Sequence, residues 1–306
     1  MLNGSPETAP VAGGAGLAAL HAPSRPAAGE ALGGMPRRRP AWWRAAGAAA
    51  VCLIAAAAVL APLLPLPDPN RTSPSRRLAA PLAPGYALGS DHLGRDLLSR
   101  VVWGARVSLT VGGLAALLAM AAGTAIGLAT GFYGGVTDQV VMRGVDVIMA
   151  FPYILLAMVL VAALGPGLVN AMIAVAVVNV SFYARGVRAA VLLLREQDFV
   201  EAARAMGASE ARILRTHILP GIAGPVLAFV SMNVGVMITE TAGLSFIGLG
   251  AQPPTADWGT MLADGRQFIT VAPAVAAIPG LAIFILVLGC NLVADGWREA
   301  LDPRLQ

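Results

Sequence analysis

The chain has 306 residues, 57% of them hydrophobic and only 12% charged, with a mean hydropathy of +0.72. Soluble domains carry about 25% charge, so this composition excludes an ordinary cytosolic globule, a disordered chain and a secreted disulfide scaffold, and leaves a polytopic membrane protein. Net charge is +4, and all 21 positive charges are arginine; without a lysine there is no P-loop and no Schiff base, so any ATP the protein depends on is held by another chain.

In chain order, residues 1–41 are rich in Ala, Gly and Pro and lack an apolar helical stripe, which predicts a disordered cytoplasmic tail. Trp42-Trp43-Arg44 is an interfacial aromatic and cationic anchor before the first uncharged run, Ala45–Ala61. This run is read as a retained span, because no convincing signal-peptide cleavage site follows it. Residues 42–103 therefore comprise the first helix and an extracytoplasmic connector, Pro-rich and extended over 62–84. Val107–Thr137 is the second run. The third, Val147–Ala184, has 38 residues without a charge, too many for one helix, and Gly165-Pro166-Gly167 cuts it in two. Ile218–Thr239 and Gln267–Ala294 complete six predicted helices of about 17–25 residues, each sufficient to cross roughly 30 Å of hydrocarbon. Fourteen arginines flank the predicted cytoplasmic side against seven on the other, which places both termini, including the tail 296–306, in the cytoplasm.

Enzyme signatures are absent: there is no G-x-S-x-G, no H-E-x-x-H, and no G-x-G-x-x-G between a strand and a helix. No catalytic residue is assigned. His21, His92 and His217 are scattered and the two cysteines lie in apolar runs, so no metal site can be argued. Asp146 is read as entering the third helix and Glu240 as leaving the fifth. Gly123, Gly127 and Gly131 form a doubled G-x-x-x-G that allows a second backbone to approach closely.

The most informative segment is 195–220, the longest charged stretch between two spans. Asp198 with Glu201 has capping-box spacing, Gly207 can end a short helix in the left-handed region, and Ser209 can cap a second helix leading to Pro220. Phe199, Val200, Ala203 and Met206 can share one apolar face. A solvated loop needs neither that face nor a glycine hinge; a knob seated in a groove of a cytoplasmic partner needs both.

These residues carry a resemblance. Glu201-Ala202-Ala203, Gly207 and Leu219-Pro220 resemble the EAA motif, E-A-A-x3-G-x9-I-x-L-P, of ABC-importer inner-membrane permeases; the isoleucine position is His217, with Ile218 beside it. G-S-D-H-L-G-R-D-L-L-S-R (89–100) with G-A-R-V-S-L (104–109), A-G-L-S-F-I-G-L-G-A-Q-P-P-T-A-D-W-G-T-M-L (242–262) and D-G-W-R-E-A-L-D-P-R (295–304) are similar to segments of the C-type subunits of dipeptide/oligopeptide permeases.

The resemblance implies an all-α, six-helix, type I ABC-importer transmembrane domain over 104–295, with a cytoplasmic coupling loop at 195–216, in a bacterial inner membrane. Its implied partners are a second, homologous permease, two cytoplasmic subunits that bind ATP and magnesium, an extracytoplasmic substrate-binding protein and the lipid bilayer; nucleic acid is not among them. Glu201, Ala202, Ala203, Gly207, Leu219 and Pro220 would couple to the ATPase. Arg204, Arg212 and Arg215 would meet acids on that partner or anionic lipid, and Glu240, Phe246, Asp257 and Trp258 would form an outer loop or gate. Di- or oligopeptides are the expected substrates, with nickel complexes, glutathione and opines as alternatives. A stand-alone ion-coupled transporter, the competing class, would need internal symmetry and a mid-span acid or histidine.

Overall fold

The computed structural model describes residues 41–301, with side chains placed over 42–297. Residues 1–40 of the predicted N-terminal tail and 302–306 of the predicted C-terminal tail lie outside the described residues, and 296–301 continue the last helix. Among those described, every regular element is helical, apart from an isolated bridge between Ser90 and Asp96. The helices are α1 (Ala41–Leu60), α2 (Leu97–Tyr133), α3 (Gly135–Met149), α4 (Tyr153–Leu164), α5 (Leu168–Arg195), α6 (Asp198–Ala205), α7 (Glu210–Ile213), α8 (Leu219–Phe246), α9 (Trp258–Gly265) and α10 (Ala274–Leu301). Five helical segments are long and apolar enough to cross a membrane, and α3 with α4 makes a sixth if counted as one broken span.

The third span is where the sequence reading is corrected. Instead of one straight helix from 147, α3 and α4 meet at an angle of 94°. Pro152 causes the break: it has no N–H to donate, and its ring disfavours the helical conformation at Phe151 before it. α4 alone has 12 residues, about 18 Å at 1.5 Å per residue, too short to cross hydrocarbon. α3 is tied down by charge instead. The Arg188 guanidinium donates to both carboxylate oxygens of Asp138 at 2.5 and 2.6 Å, and Arg185 pairs with Asp146 at 2.7 Å. Asp146 is thus engaged by α5 inside α3 rather than marking the start of a span.

α2 begins ten residues before the predicted run. The Asp96 carboxylate accepts the Ser99 N–H as an N-cap, and the charge of Arg100 inside the first turns is met by protein groups. α2 and α5 share the most extensive interhelical contact. A Cβ added at Gly123, Gly127 or Gly131 would fall 2.4–2.8 Å from Tyr183, Ala184 or Val191, so the doubled G-x-x-x-G is a seam that lets α5 lie against α2. Between spanning helices lipid is as apolar as leucine, so close van der Waals packing has to hold such a seam together. α1 packs on α10 in the same manner: Gly47 faces Leu292 and Gly289 faces Val51. Cys290 is buried in that region, whereas Cys52 is exposed on the surface of α1.

The connector is folded rather than extended. Its backbone pairs with the segment that follows it through Ser73 N–H to Leu93 O, Leu78 N–H to Asp91 O and Ser90 N–H to Ala79 O. Ser99 Oγ then donates to Pro67 O at 2.6 Å. Gly94, at φ +77°, would set a Cβ 2.0 Å from Ser73 O, so a side chain cannot be accommodated there.

A test of the seam follows from its geometry. Gly127→Ala should cost about 1–3 kcal/mol by overpacking and lower the thermal aggregation midpoint of the purified protein by several degrees. Gly113→Ala, whose Cβ would meet nothing within 4 Å, should leave it unchanged. Equal midpoints for the two variants would remove the seam from the account.

Candidate functional site

Two ends of α8 carry the candidate residues. At one end α6 and α7 form the predicted elbow. α6 is preceded by Gln197 without a side-chain cap, so Asp198 lies in the first turn, where its charge favours the helix N-terminus, rather than at the cap. The helix stops as its sequence dictates. Gly207 adopts φ +80°, its N–H donates to Arg204 O, and Ala208 N–H donates to Ala203 O. That pair of bonds is a Schellman stop. Ser209 Oγ accepts the Arg212 N–H at 3.4 Å and starts α7.

α7 does not end before the span. It passes through a π-helical turn, Leu214–Ile218, into α8, with Leu219 N–H bonded to Leu214 O. The wider turn relieves the helix just where Pro220 can neither donate nor leave room for an ordinary α turn.

The expected apolar face divides. Val200 and Ala203 are buried with Ile213, Ile218 and Ile222 against Phe132, Val187 and Val191. Phe199 and Met206 point outward, Met206 with 82% exposure. Ala203 therefore faces its own chain and fixes the elbow on α5, while Glu201, Ala202 and Gly207 remain on the exposed side. Arg204 pairs within the elbow with Glu210 at 3.4 Å and lies 6.0 Å from the Phe132 ring. Arg212 and Arg215 are exposed, as are Leu219 and Pro220.

At its other end α8 stops by the same device. Gly248 at φ +86° donates to Ser245 O, and Leu249 N–H donates to Leu244 O; Leu244 and Leu249 both join the apolar cluster between α2, α4 and α5. Gly250 and Gly259 leave room for Ser245 and for Ala242 O, which an added Cβ would approach at 2.1 and 2.2 Å. The apolar run 244–249 is thus a helix end and its stop, not a segment re-entering the membrane.

Asp257 and Trp258 are not surface groups. Trp258 is 1% exposed, donates from Nε1 to Val101 O at 2.9 Å, and fits over Gly104. Asp257 is 3% exposed; it caps α9 by accepting Thr260 N–H at 3.1 Å and also meets Ser108 Oγ at 3.4 Å. A solvated charge, an interfacial anchor or a direct docking contact is excluded for these two side chains in this conformation. The reason is that Gly104, Ser108 and Gly259 together leave a slot that only a buried indole and its neighbouring cap fill. Burial pushes the Asp257 carboxyl up from the usual range, against the opposing hydrogen bonds from Thr260, Ser245, Gly259 and Ser108.

Glu240 also departs from expectation. α8 continues to Phe246, so this carboxylate is six positions inside the helix, half-buried, accepting from Asn179 Nδ2 at 2.7 Å. Phe246 lies in the last turn of α8 beneath the Arg266 guanidinium, 5.3 Å from its ring centroid.

Sequence reasoning missed one cluster. Asp91, Arg95 and Arg100 are nearly fully buried. Arg95 Nε bonds Asp91 at 2.5 Å and its other end lies 3.6 Å from Asp264, while Arg100 donates to Pro69 O at 3.1 Å. The i, i+4 spacing of Asp91 and Arg95, inside the segment 89–100 that carries the family resemblance, was the available signal.

Comparisons with known proteins agree with this architecture. The family model described as "Binding-protein-dependent transport system inner membrane component" matches residues 123–306. The chain is 46% identical over 249 residues to the dipeptide transport system permease protein DppC of Alkalihalophilus pseudofirmus, covering 81% of this chain and 82% of that one. It is 48% identical over 219 residues to the glutathione transport system permease protein GsiD of Pectobacterium atrosepticum, covering 72% and 73%. Among solved structures, a chain of the inward-facing MetNI methionine ABC transporter superposes with a TM-score of 0.56 at 21% identity, covering 67% of this chain and 98% of that one, which speaks to the fold alone. The chain belongs to the binding-protein-dependent transport system inner membrane component family. It is an all-α, multi-pass ABC-transporter permease of the inner membrane.

Two outcomes check the buried end. Trp258→Ala should cost about 3–5 kcal/mol and sharply reduce the amount of folded protein recovered from membranes. For Asp257, a carboxyl raised by burial contributes stability at low pH that is lost as pH rises through its raised pKa. Asp257→Asn should therefore flatten the fall of the unfolding midpoint as pH rises above the ordinary carboxylate pKa of about 4; identical pH profiles would contradict the burial argument.

Proposed function

We propose that this chain forms half of the translocation pathway of an ATP-driven importer for di- or oligopeptides, and that partner subunits hydrolyse the ATP. The observation that carries the reading is the continuity of the elbow with α8. A push on α6 reaches α8 through the Ser209 cap and the π turn, and reaches α5 through Val187 and Val191. Two cytoplasmic ATP-binding subunits would seat the exposed side of the elbow: Glu201, Ala202, Phe199, Met206 and Gly207. Ala203, Leu219 and Pro220 set its angle, and Arg212 and Arg215 supply charge toward that partner or toward lipid head groups. Closure of the ATPase pair would rock α5 and α8 and open the pathway shared with a second, homologous permease.

The proposed domain division keeps 104–295 as the permease domain and 195–216 as its coupling loop, with both termini cytoplasmic and the connector and 247–273 outside. The peptide assignment is supported by the dipeptide permease named above. The glutathione permease, equally similar, favours a second reading in which the substrate is the modified tripeptide glutathione. Both cargoes are short peptides with free carboxylates.

Coupling is checked by Gly207→Trp. The variant should reach the membrane and assemble in normal amounts while substrate-stimulated ATP turnover of the complex falls about tenfold or more, since an αL position is lost and bulk is added at the contact. Wild-type turnover and uptake would overturn the proposed contact. Orientation is checked by cysteine labelling in a Cys52→Ala background: Ser209→Cys should react only from the cytoplasm and Thr255→Cys only from outside.

A further inference from the structure

Glu240 lies within the depth of a span, six residues, about 9 Å, inside the end of α8. Its carboxylate accepts from Asn179 Nδ2 of α5 at 2.7 Å, and among the described residues it has no ion pair. The Tyr183 hydroxyl, buried and without a hydrogen-bond partner among the described residues, lies within electrostatic reach of it. This polar set is short of partners: a carboxylate with no cation and a hydroxyl with no acceptor. The surface around it is a continuous strip. On α8, Asn233 and Val236 lie two turns and one turn before Glu240, Thr239 beside it and Gly243 a turn after it, and none of the five is buried. A Cβ at Gly243 would meet nothing within 4 Å. On α5, Asn179 and the exposed Phe182 continue the strip, and Phe182 meets Phe229 of α8 edge-on at 6.1 Å.

We propose that Glu240, oriented by Asn179, receives the α-ammonium of the peptide in transit, an inference that rests on the assembly proposed above. Hydrocarbon does not solvate a carboxylate, so an acid in a span faces the bundle interior or a water-filled cavity rather than lipid. In that assembly the strip carrying Glu240, Asn179 and Asn233 is therefore turned toward the pathway shared with the second permease. An ionised carboxylate has about four acceptor positions, so the single bond from Asn179 fixes its orientation without using it up. An ammonium is the group that answers it, because a charge-assisted pair away from bulk water is stronger than a neutral hydrogen bond. Every free peptide, a dipeptide and glutathione alike, carries one α-ammonium whatever its side chains. One acid on an otherwise neutral strip thus contacts all such cargo without selecting a sequence, and a single contact is weak enough to let the cargo leave.

The experiment uses the whole complex in lipid nanodiscs, with Val236→Cys in the Cys52→Ala background; Val236 is 44% exposed. Its labelling by a cationic and by an anionic methanethiosulfonate is timed in nucleotide-free and vanadate-trapped states, each rate divided by that with a free thiol. The cationic reagent should be favoured about tenfold, and Glu240→Gln should abolish the preference while Glu240→Asp keeps part of it. A dipeptide with a free N-terminus should slow labelling, and its N-acetyl derivative should not; in Glu240→Gln neither should. Complex recovery by size-exclusion chromatography checks that the variants assemble. Absence of labelling in both states seats the strip against protein or lipid, such as a cation of the second permease, and overturns the site. So does a reagent preference unmoved by Glu240→Gln, or equal protection by the free and acetylated peptides. Any of these results in a complex whose wild type imports peptide overturns the site alone. Failure of the wild-type complex to import any peptide overturns the importer reading, and the site with it.

Discussion

Close backbone contact between α2 and α5 is the constraint from which the rest of the molecule takes its position. Gly123, Gly127 and Gly131 let Tyr183, Val187 and Val191 of α5 lie directly on the α2 backbone. In a bilayer such contact must be made by shape, because burial of apolar surface against another helix gains little over burial in lipid. Val187 and Val191, set by that seam, are the floor on which Val200, Ala203 and Ile213 seat the elbow. Arg195 closes the same end by donating to Gly131 O at 2.9 Å. At the other end of α2, Gly104 and Ser108 receive Trp258 and Asp257. One helix pair therefore orients both the elbow and the loop at the far end of α8.

The end of α6 and the far end of α8 are terminated by the same device. Gly207 and Gly248 each take a left-handed conformation and close a Schellman pair of bonds, and each stop places a small or apolar residue back on the core. Between them α8 is continuous, with Pro220 accommodated by the π turn and Pro225 inside the helix. The charged cluster of Asp91, Arg95, Arg100 and Asp264 ties the connector and the start of α2 to α9, and breaking one partner of a buried pair typically costs about 3–5 kcal/mol.

How much was legible follows the range of the interactions. The glycine stop at Gly207, the Ser209 cap, the cut at Gly165-Pro166-Gly167 and the glycine seam are local or periodic, and each was readable from a few residues. The 94° break at Pro152 was also signalled locally but was overridden by the length of the uncharged run around it. What remained hidden depends on contacts distant in sequence. Trp258 resembles an interfacial tryptophan until Gly104, more than 150 positions earlier, is found beneath it. The folding of the Pro-rich connector needs the strand-like turn at 89–96, and Ala203 looks like a contact surface until α5 covers it. The outward and inward halves of the α6 face were separated only by packing.

The central claim is that the elbow moves as one body with α5. Paired spin labels at Leu193 and Met206, both exposed, report that distance directly in the assembled complex. The account predicts the same distance in nucleotide-free and ATP-bound states, while the distance from Met206 to a cytoplasmic partner's fixed label changes. A Leu193–Met206 distance that shifts with nucleotide would make the elbow an independent flap and contradict it.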